Sequence, residues 1–323
     1  MSTLRLLLSA LVIVASLYGA PAAHAAYPEK PIQFIVPYAP GSNADMFSRR
    51  LAERLARSLG QPIIIENRPG ANAALGLDRV AKAVPDGYTW GIGSPSNTFA
   101  GHLLMKSMSY DWQRDLTPVA GLYQIPTALL VAADSAYTSF AQLAAYAKAN
   151  PHKVSYGYGQ STAQMAGANW QRVGDVQLIG VAYKGTPQAV IDLAGGQITV
   201  AFAELSVALP QIASGKARAL AIVAPQRSSL LPAVPTFAEV QPNALSLVGF
   251  AGLMMPANTP GGVVDKVASS IREVVANPEF TEFLKSIGSE PLVFSTSAEF
   301  GEYLRKQGPV WKDAMEAAGI KPE

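Results

Sequence analysis

Ile32–Glu66 reads IQFIVPYAPGSNADMFSRRLAERLARSLGQPIIIE. Its two ends are short runs rich in β-branched residues. Its middle repeats Phe47, Leu51, Ala52, Leu55 and Leu59 at the spacing of one helical face. Pro40-Gly41 turns the chain out of the first run, and Gly60 stands where a helix commonly ends in a left-handed residue. A strand, a helix and a strand joined this closely predict a βαβ unit with parallel strands.

The pattern extends in both directions along the chain. A second helix is expected over about Ala73–Val84, a turn at Pro85-Asp86-Gly87 and a strand at Tyr88–Gly93. It resumes with strands at Leu129–Ala132, Val154–Gly157, Leu178–Ala182, Ile198–Phe202 and Leu220–Val223. Helices fall between them at Ser139–Ala149, Ala163–Val173 and Pro187–Leu193. The tail from Val263 to Gly319 reads as mostly helical, with Glu299–Ala318 the longest element. The fold class is therefore α/β, with two domains, each a mostly parallel sheet with helices on both faces. Domain I is expected over 26–124 plus 248–323 and domain II over 125–247. Extended stretches near Ala120–Ala132 and Leu247–Pro256 are the crossovers, an arrangement suited to hinging around a ligand.

Composition removes several function classes. The 323 residues are only 15% charged, with 25 Lys and Arg against 23 Asp and Glu, which offers no field for nucleic acid. There is no cysteine and there are three histidines, so no metal site, disulfide, thiol nucleophile or cofactor is expected. At the N-terminus, Arg5 precedes an uncharged apolar run from Leu6 to Tyr18, which breaks at Gly19 and Pro21. Ala23-His24-Ala25 is a small-residue cleavage site. Residues 1–25 read as a secretory signal peptide, because the run is shorter than the roughly 20 apolar residues of a membrane helix. An exported, periplasmic chain is the expectation.

The chemical signal lies in the turns between strands and helices. Tyr38-Ala39-Pro40-Gly41-Ser42-Asn43 opens one helix, with Ser42 as its cap and Asp45 three residues on. Gly159-Gln160-Ser161-Thr162-Ala163 opens another, with Ser161 and Gln164 spaced as a capping box. Tyr183-Lys184-Gly185-Thr186 opens a third, with Thr186 as cap and Pro187 in the first turn. Ser94-Pro95-Ser96-Asn97 follows a strand in the same way. Loops at the C-terminal ends of strands are where open α/β sheets bind ligands. Helix N-termini there hold carboxylate or phosphate through unpaired N–H groups.

Longer motifs carry a resemblance. Pro28–Asp45 (PEKPIQFIVPYAPGSNAD), Glu66–Gly76 (ENRPGANAALG), Ala83–Thr89 (AVPDGYT) and Val181–Ala189 (VAYKGTPQA) form an ordered series. Gly215–Ala221 (GKARALA), Leu231–Thr236 (LPAVPT), Pro256–Pro260 (PANTP) and Trp311–Ile320 (WKDAMEAAGI) continue it. The series resembles the substrate-binding receptors of tripartite tricarboxylate transporters, the Bug family, over essentially the whole chain after residue 25. The resemblance implies a Venus-flytrap periplasmic binding protein, monomeric and not an enzyme. Its cleft would take a small carboxylate, whether di- or tricarboxylate, amino acid or aromatic acid, for a membrane permease. It points to Tyr38, Gly41, Ser42, Asn43, Ser94 and Asn97 from one domain. From the other it points to Gly159, Gln160, Ser161, Thr162, Ala163, Tyr183, Gly185, Thr186 and Glu204.

The chain departs from the family pattern at several of these places. Ser42 replaces the second glycine of the family's P-G-G, Tyr158 and Gln160 replace small residues, and Glu204 stands where Asp or Asn is frequent. Tyr38 and Tyr158 are placed either to flank a planar acid or to serve as ordinary framework. Glu204 either hydrogen-bonds an amino or hydroxyl group or caps local backbone. Lys184 either meets a carboxylate or stands on a solvated face. Two other functions fit parts of the sequence. A receptor of this kind can report to a signalling protein instead of a permease. Gly159–Ala163 also resembles a G-x-S-x-G nucleophile elbow with Ser161 at its centre. No histidine follows His152, however, so that serine has no downstream base.

Overall fold

The computed structural model describes residues 27–101, 108–317 and 319. The expected signal peptide, His102, and Ala318 and Ile320 of the last motif lie outside the described residues. The first sheet begins with β1 (Ile32–Val36), α1 (Asn43–Leu59), β2 (Ile63–Asn67), α2 (Ala74–Ala81), β3 (Thr89–Gly93) and β4 (Leu116–Ile125). The second is built from β5 (Thr127–Ala132), α3 (Phe140–Ala149), β6 (Ser155–Tyr158), α4 (Ser161–Gly174) and β7 (Ile179–Ala182). It continues with α5 (Thr186–Ala194), β8 (Val200–Glu204), α6 (Leu205–Ala213) and β9 (Ala217–Val223). The chain then returns to the first sheet with β10 (Gly249–Pro256), α7 (Gly261–Val275), α8 (Pro278–Ser286), β11 (Glu290–Pro291) and α9 (Ser297–Ala317).

β1 lies between β2 and β3, and both pairings are parallel. Its side chains alternate between two buried faces, as a central strand requires. Ile32, Phe34 and Val36 join Phe47, Leu51 and Leu55 of α1 and Val267 and Ile271 of α7, while Ile35 joins Leu77 and Val80 of α2. Helix α1 ends at Gly60, whose φ of 71° is the left-handed cap conformation, with its N–H donating to Ala56 O.

Both sheets are mixed, and the connectivity explains why. The spatial orders are β11-β4-β10-β3-β1-β2 and β7-β6-β8-β5-β9. Strands of the βαβ units run parallel and end at the gap between the sheets. A strand crossing over enters at that gap and runs away from it. β5 is therefore antiparallel to β8, with Thr127 opposite Glu204, and β10 is antiparallel to β3, with Gly252 opposite Gly93. The first crossover is abrupt: β4 ends at Ile125, β5 starts at Thr127, and Pro126 O between them accepts the Leu205 N–H at 2.9 Å. Helix α9 packs on β4 and also on α4, so the tail touches both halves. Among the described residues no helix is long and apolar enough to cross a membrane.

Candidate functional site

This topology brings the C-terminal ends of β1, β3, β6, β7 and β8 to the gap between the sheets. On the first-sheet side, Ser42 caps α1, its side chain accepting the Asp45 N–H at 3.2 Å. The Asp45 carboxylate does not return to the Ser42 N–H. It accepts the Gly41 N–H at 2.9 Å, Asn67 Nδ2 at 2.9 Å and Arg49 Nε at 3.1 Å. Burial alone would raise the Asp45 carboxyl, but these donors hold it below its ordinary value. Asn67 also donates to Tyr38 O at 3.0 Å, which fixes the turn that carries the tyrosine.

The Tyr38 hydroxyl hydrogen-bonds the Ser94 hydroxyl at 2.7 Å and also meets Ser96. Burial pushes the Tyr38 phenol up, and the carboxylate of Glu204, from the second sheet, adds to the effect. Two expected contacts are committed to the framework. Asn97 is fully buried; its Oδ1 accepts the Ser94 N–H at 2.7 Å and its Nδ2 donates to Ile92 O and Ala73 O. Asn43 Nδ2 reaches Ile287 O and Ser289 Oγ, each at 3.2 Å. Gly41 remains exposed at the mouth of the turn.

The second-sheet side departs from its expected caps. Gln160, not Ser161, is the N-cap of α4, and no side chain caps that helix, so the Ser161–Gln164 box does not form. Gly185, not Thr186, is the N-cap of α5, again with no side-chain cap, and Thr186 is a buried first-turn residue. The two loops also approach each other closely. A Cβ on Gly159 would lie 2.1 Å from Thr186 N and 2.2 Å from Gly185 C, so only glycine lets them touch. Two helix N-termini thus sit side by side without side-chain caps. Geometry leaves the first-turn N–H groups of Ser161, Thr162 and Ala163, and that of Thr186, without intrahelical partners. The side chain of Ser161 lies outside those described.

Tyr183 turns away, its hydroxyl donating to Asp192 at 3.0 Å and its N–H to Tyr158 O at 2.9 Å. Tyr158 stays half-buried with its ring 5.7 Å from that of Tyr156, and Lys184 is exposed. Glu204 ends β8 and is the N-cap residue of α6, yet its side chain caps nothing. Burial raises its carboxyl, opposed by a hydrogen bond from Gln160. Tyr123 is a site neighbour that sequence reading missed. It is buried in β4, and burial, Tyr38 and Glu204 together raise its phenol. Its apolar strand context gave no signal, because the neighbours come from both sheets. A cavity of about 520 Å³ lies elsewhere, lined by Phe99, Trp112, Pro309 and Lys312 among others, and it includes none of the expected site residues.

Ser161 and His152 stand at opposite ends of β6. His152 is exposed in the turn before the strand, with a φ of 58° and its N–H on Gln177 O. It is not positioned to act on the serine.

The comparisons with known proteins agree with one another. The sequence model described as "Tripartite tricarboxylate transporter family receptor" matches residues 47–319. Protein BugT of Bordetella pertussis is 33% identical over 307 residues, covering 94% of each chain. The structure of R. palustris Rpa4515 with adipate is 28% identical with a TM-score of 0.77, covering 92% of this chain and 100% of that one. MatC from Rhodopseudomonas palustris with bound malate is 27% identical with a TM-score of 0.70, covering 89% and 99%.

Proposed function

We propose that this chain, which belongs to the tripartite tricarboxylate transporter receptor family, captures a small organic carboxylate between its two lobes. The lobes are 26–124 plus 248–323 and 125–247. The ligand is handed as cargo to a membrane permease of the tripartite type. One observation carries the reading: α4 and α5 begin side by side and uncapped by side chains, across the gap from the Tyr38–Ser94 hydroxyl pair. Paired helix N-termini offer N–H groups and partial positive charge to an anion without any arginine. The relatives with adipate and malate support a carboxylate ligand.

The ligand-facing set is Gly41, Ser42, Ser94, Gly159, Gln160, Thr162, Ala163, Gly185 and Thr186, with Tyr38 and Glu204. Ligand binding drives closure because it favours the closed arrangement over the open one. The chain works in the periplasm as a monomer, exported by the segment 1–25. The family and fold are those of substrate-binding proteins. A thermal-shift series over aliphatic and aromatic mono- and dicarboxylates tests the reading. At least one acid should raise the melting temperature by several degrees, and neutral sugars of similar size should not. No shift with any acid, or ester hydrolysis that disappears in Ser161→Ala, would overturn it.

A further inference from the structure

β2 is the end strand of the first sheet and pairs with β1 alone. Pro62 O accepts the Ile32 N–H at 2.9 Å, and the Arg68 N–H donates to Val36 O at 2.8 Å. Even-numbered positions between these two therefore bond to β1, because strand residues address their two sides in turn. The N–H and C=O groups of Ile63, Ile65 and Asn67 point outward, and among the described residues none of them has a partner. Proteins ordinarily guard such an edge with a lysine, a proline, a bulge or a covering segment. β2 contains no lysine or proline, and its register with β1 is unbroken.

Side chains give a second signal at the same place. Ile64 and Glu66 lie on the face of the sheet that α2 covers, level with Gln33 and Ile35. On α2, Leu75, Asp78, Arg79 and Lys82 form one stripe at helical spacing. With Arg68 and Pro69 they line a cavity of about 370 Å³. Ile64 and Leu75 are each 56% exposed, which is unusual for large apolar side chains. Arg68 pairs with Glu66, and Lys82 pairs with Asp78 at 2.8 Å. Half-buried Arg79 makes no ion pair or hydrogen bond among the described residues, so one cation is left over.

The bare edge suits an extended backbone, Ile64 and Leu75 suit an apolar side chain, and Arg79 suits an acid. A second copy of β2 would bring the same surplus cation and meets only the first two demands. We propose that β2 and the α2 groove beside it dock an extended segment of a partner protein. The segment adds a strand to the first sheet and turns one apolar and one acidic side chain toward α2. In a transport receptor that partner is the permease, an attribution that rests on the function proposed above. The edge ends at Asn67, whose side chain holds the Tyr38 turn, so a docked strand reaches the rim of the gap.

Fluorescence anisotropy with short labelled peptides tests it. The probe alternates threonine with valine and glutamate. One control replaces glutamate by lysine, and another carries N-methyl groups on alternate amides, which removes strand pairing but keeps the side chains. The glutamate peptide should bind about ten-fold tighter than either control. Its binding should slow hydrogen exchange at Ile63, Ile65 and Asn67. Arg79→Glu should reverse the order of the glutamate and lysine peptides, and Ile64→Lys should weaken binding about ten-fold. The wild-type protein with the three peptides decides the matter even if a variant fails to fold. No binding of the glutamate peptide, or equal binding of its N-methylated form, would overturn the proposal. So would exchange protection confined to the gap loops or to β7, the end strand of the second sheet. Self-association of the free chain that Ile64→Lys abolishes would assign the edge to a second copy and overturn it as well. Each of these results leaves the carboxylate reading standing, because melting shifts with small acids test that reading separately.

Discussion

Asp45 is 3% exposed, yet its carboxyl lies below its ordinary value because Arg49, the Gly41 N–H and Asn67 all donate to it. A carboxyl with a lowered folded-state pKa stabilises the fold fully above its unfolded value. That contribution is lost as pH falls through the folded value. Asp45→Asn should therefore cost about 1–3 kcal/mol near neutral pH, the range for leaving buried donors without a charged acceptor. The difference from wild type should shrink as the solution is taken below the ordinary aspartate range. Urea unfolding at several pH values checks this, and a difference independent of pH would contradict it. The sequence marked Asp45 as a helix-cap residue. Its actual partner, the Gly41 N–H, depends on how the turn folds and has no signature in residue spacing.

At the scale of elements, the contact between the β6–α4 and β7–α5 loops makes a sharp contrast between two glycines. A methyl group on Gly159 would strike backbone at Thr186 N, 2.1 Å away, whereas one on Gly185 would meet only Pro187 Cδ at 3.7 Å. Gly185 has an extended backbone, with φ −177°, that any residue adopts. Gly159→Ala should separate the two helix starts, destabilise the fold by about 1–3 kcal/mol and weaken ligand binding ten-fold or more. Gly185→Ala should leave the stability of the fold nearly unchanged. Denaturant midpoints and titrations on the two variants check the pair, and equal behaviour would contradict the expected contrast.

The same elements show what sequence could and could not convey. Apolar spacing in α1 and the β-branched run of β1 were legible because burial imposes a period of 3.6 or 2. Cap positions at Ser161 and Thr186 were not. Each depends on which residue takes the extended N-cap conformation, and in both loops that is the residue before, Gln160 and Gly185. The mixed character of the sheets was hidden for a similar reason. A crossover strand looks like any other apolar run, and its direction follows from which end of the sheet it enters. Of the expected site, Tyr38, Ser94 and Glu204 were brought together, while Asn43, Asn97 and Tyr183 went to the framework.

At the scale of the molecule, further contacts join the two halves besides the crossovers and α9. Glu290 of β11 accepts from Ser228 Oγ at 2.9 Å, Ser229 N at 2.7 Å and Ser229 Oγ at 2.9 Å, in the loop after β9. The turn just before it, at Gly288, lies against the Ser206 backbone at the start of α6, and Ser289 takes a hydrogen bond from Asn43. One short segment thus links the first helix of one half to the helix that follows Glu204 in the other. Glu290→Ala should loosen this join, raising the radius of gyration of the ligand-free protein in small-angle scattering and lowering its unfolding midpoint. An unchanged profile and midpoint would show that the join carries no weight.

Capture of a small carboxylate between the halves is the proposal on which the rest depends. It can be tested by native mass spectrometry of the protein purified under mild conditions from its own host. The expected result is a population carrying one small molecule per chain, which on release is identified as an organic acid. A bare chain that also takes up no carboxylate when a panel of them is added, or a retained molecule without an acid group, would contradict it.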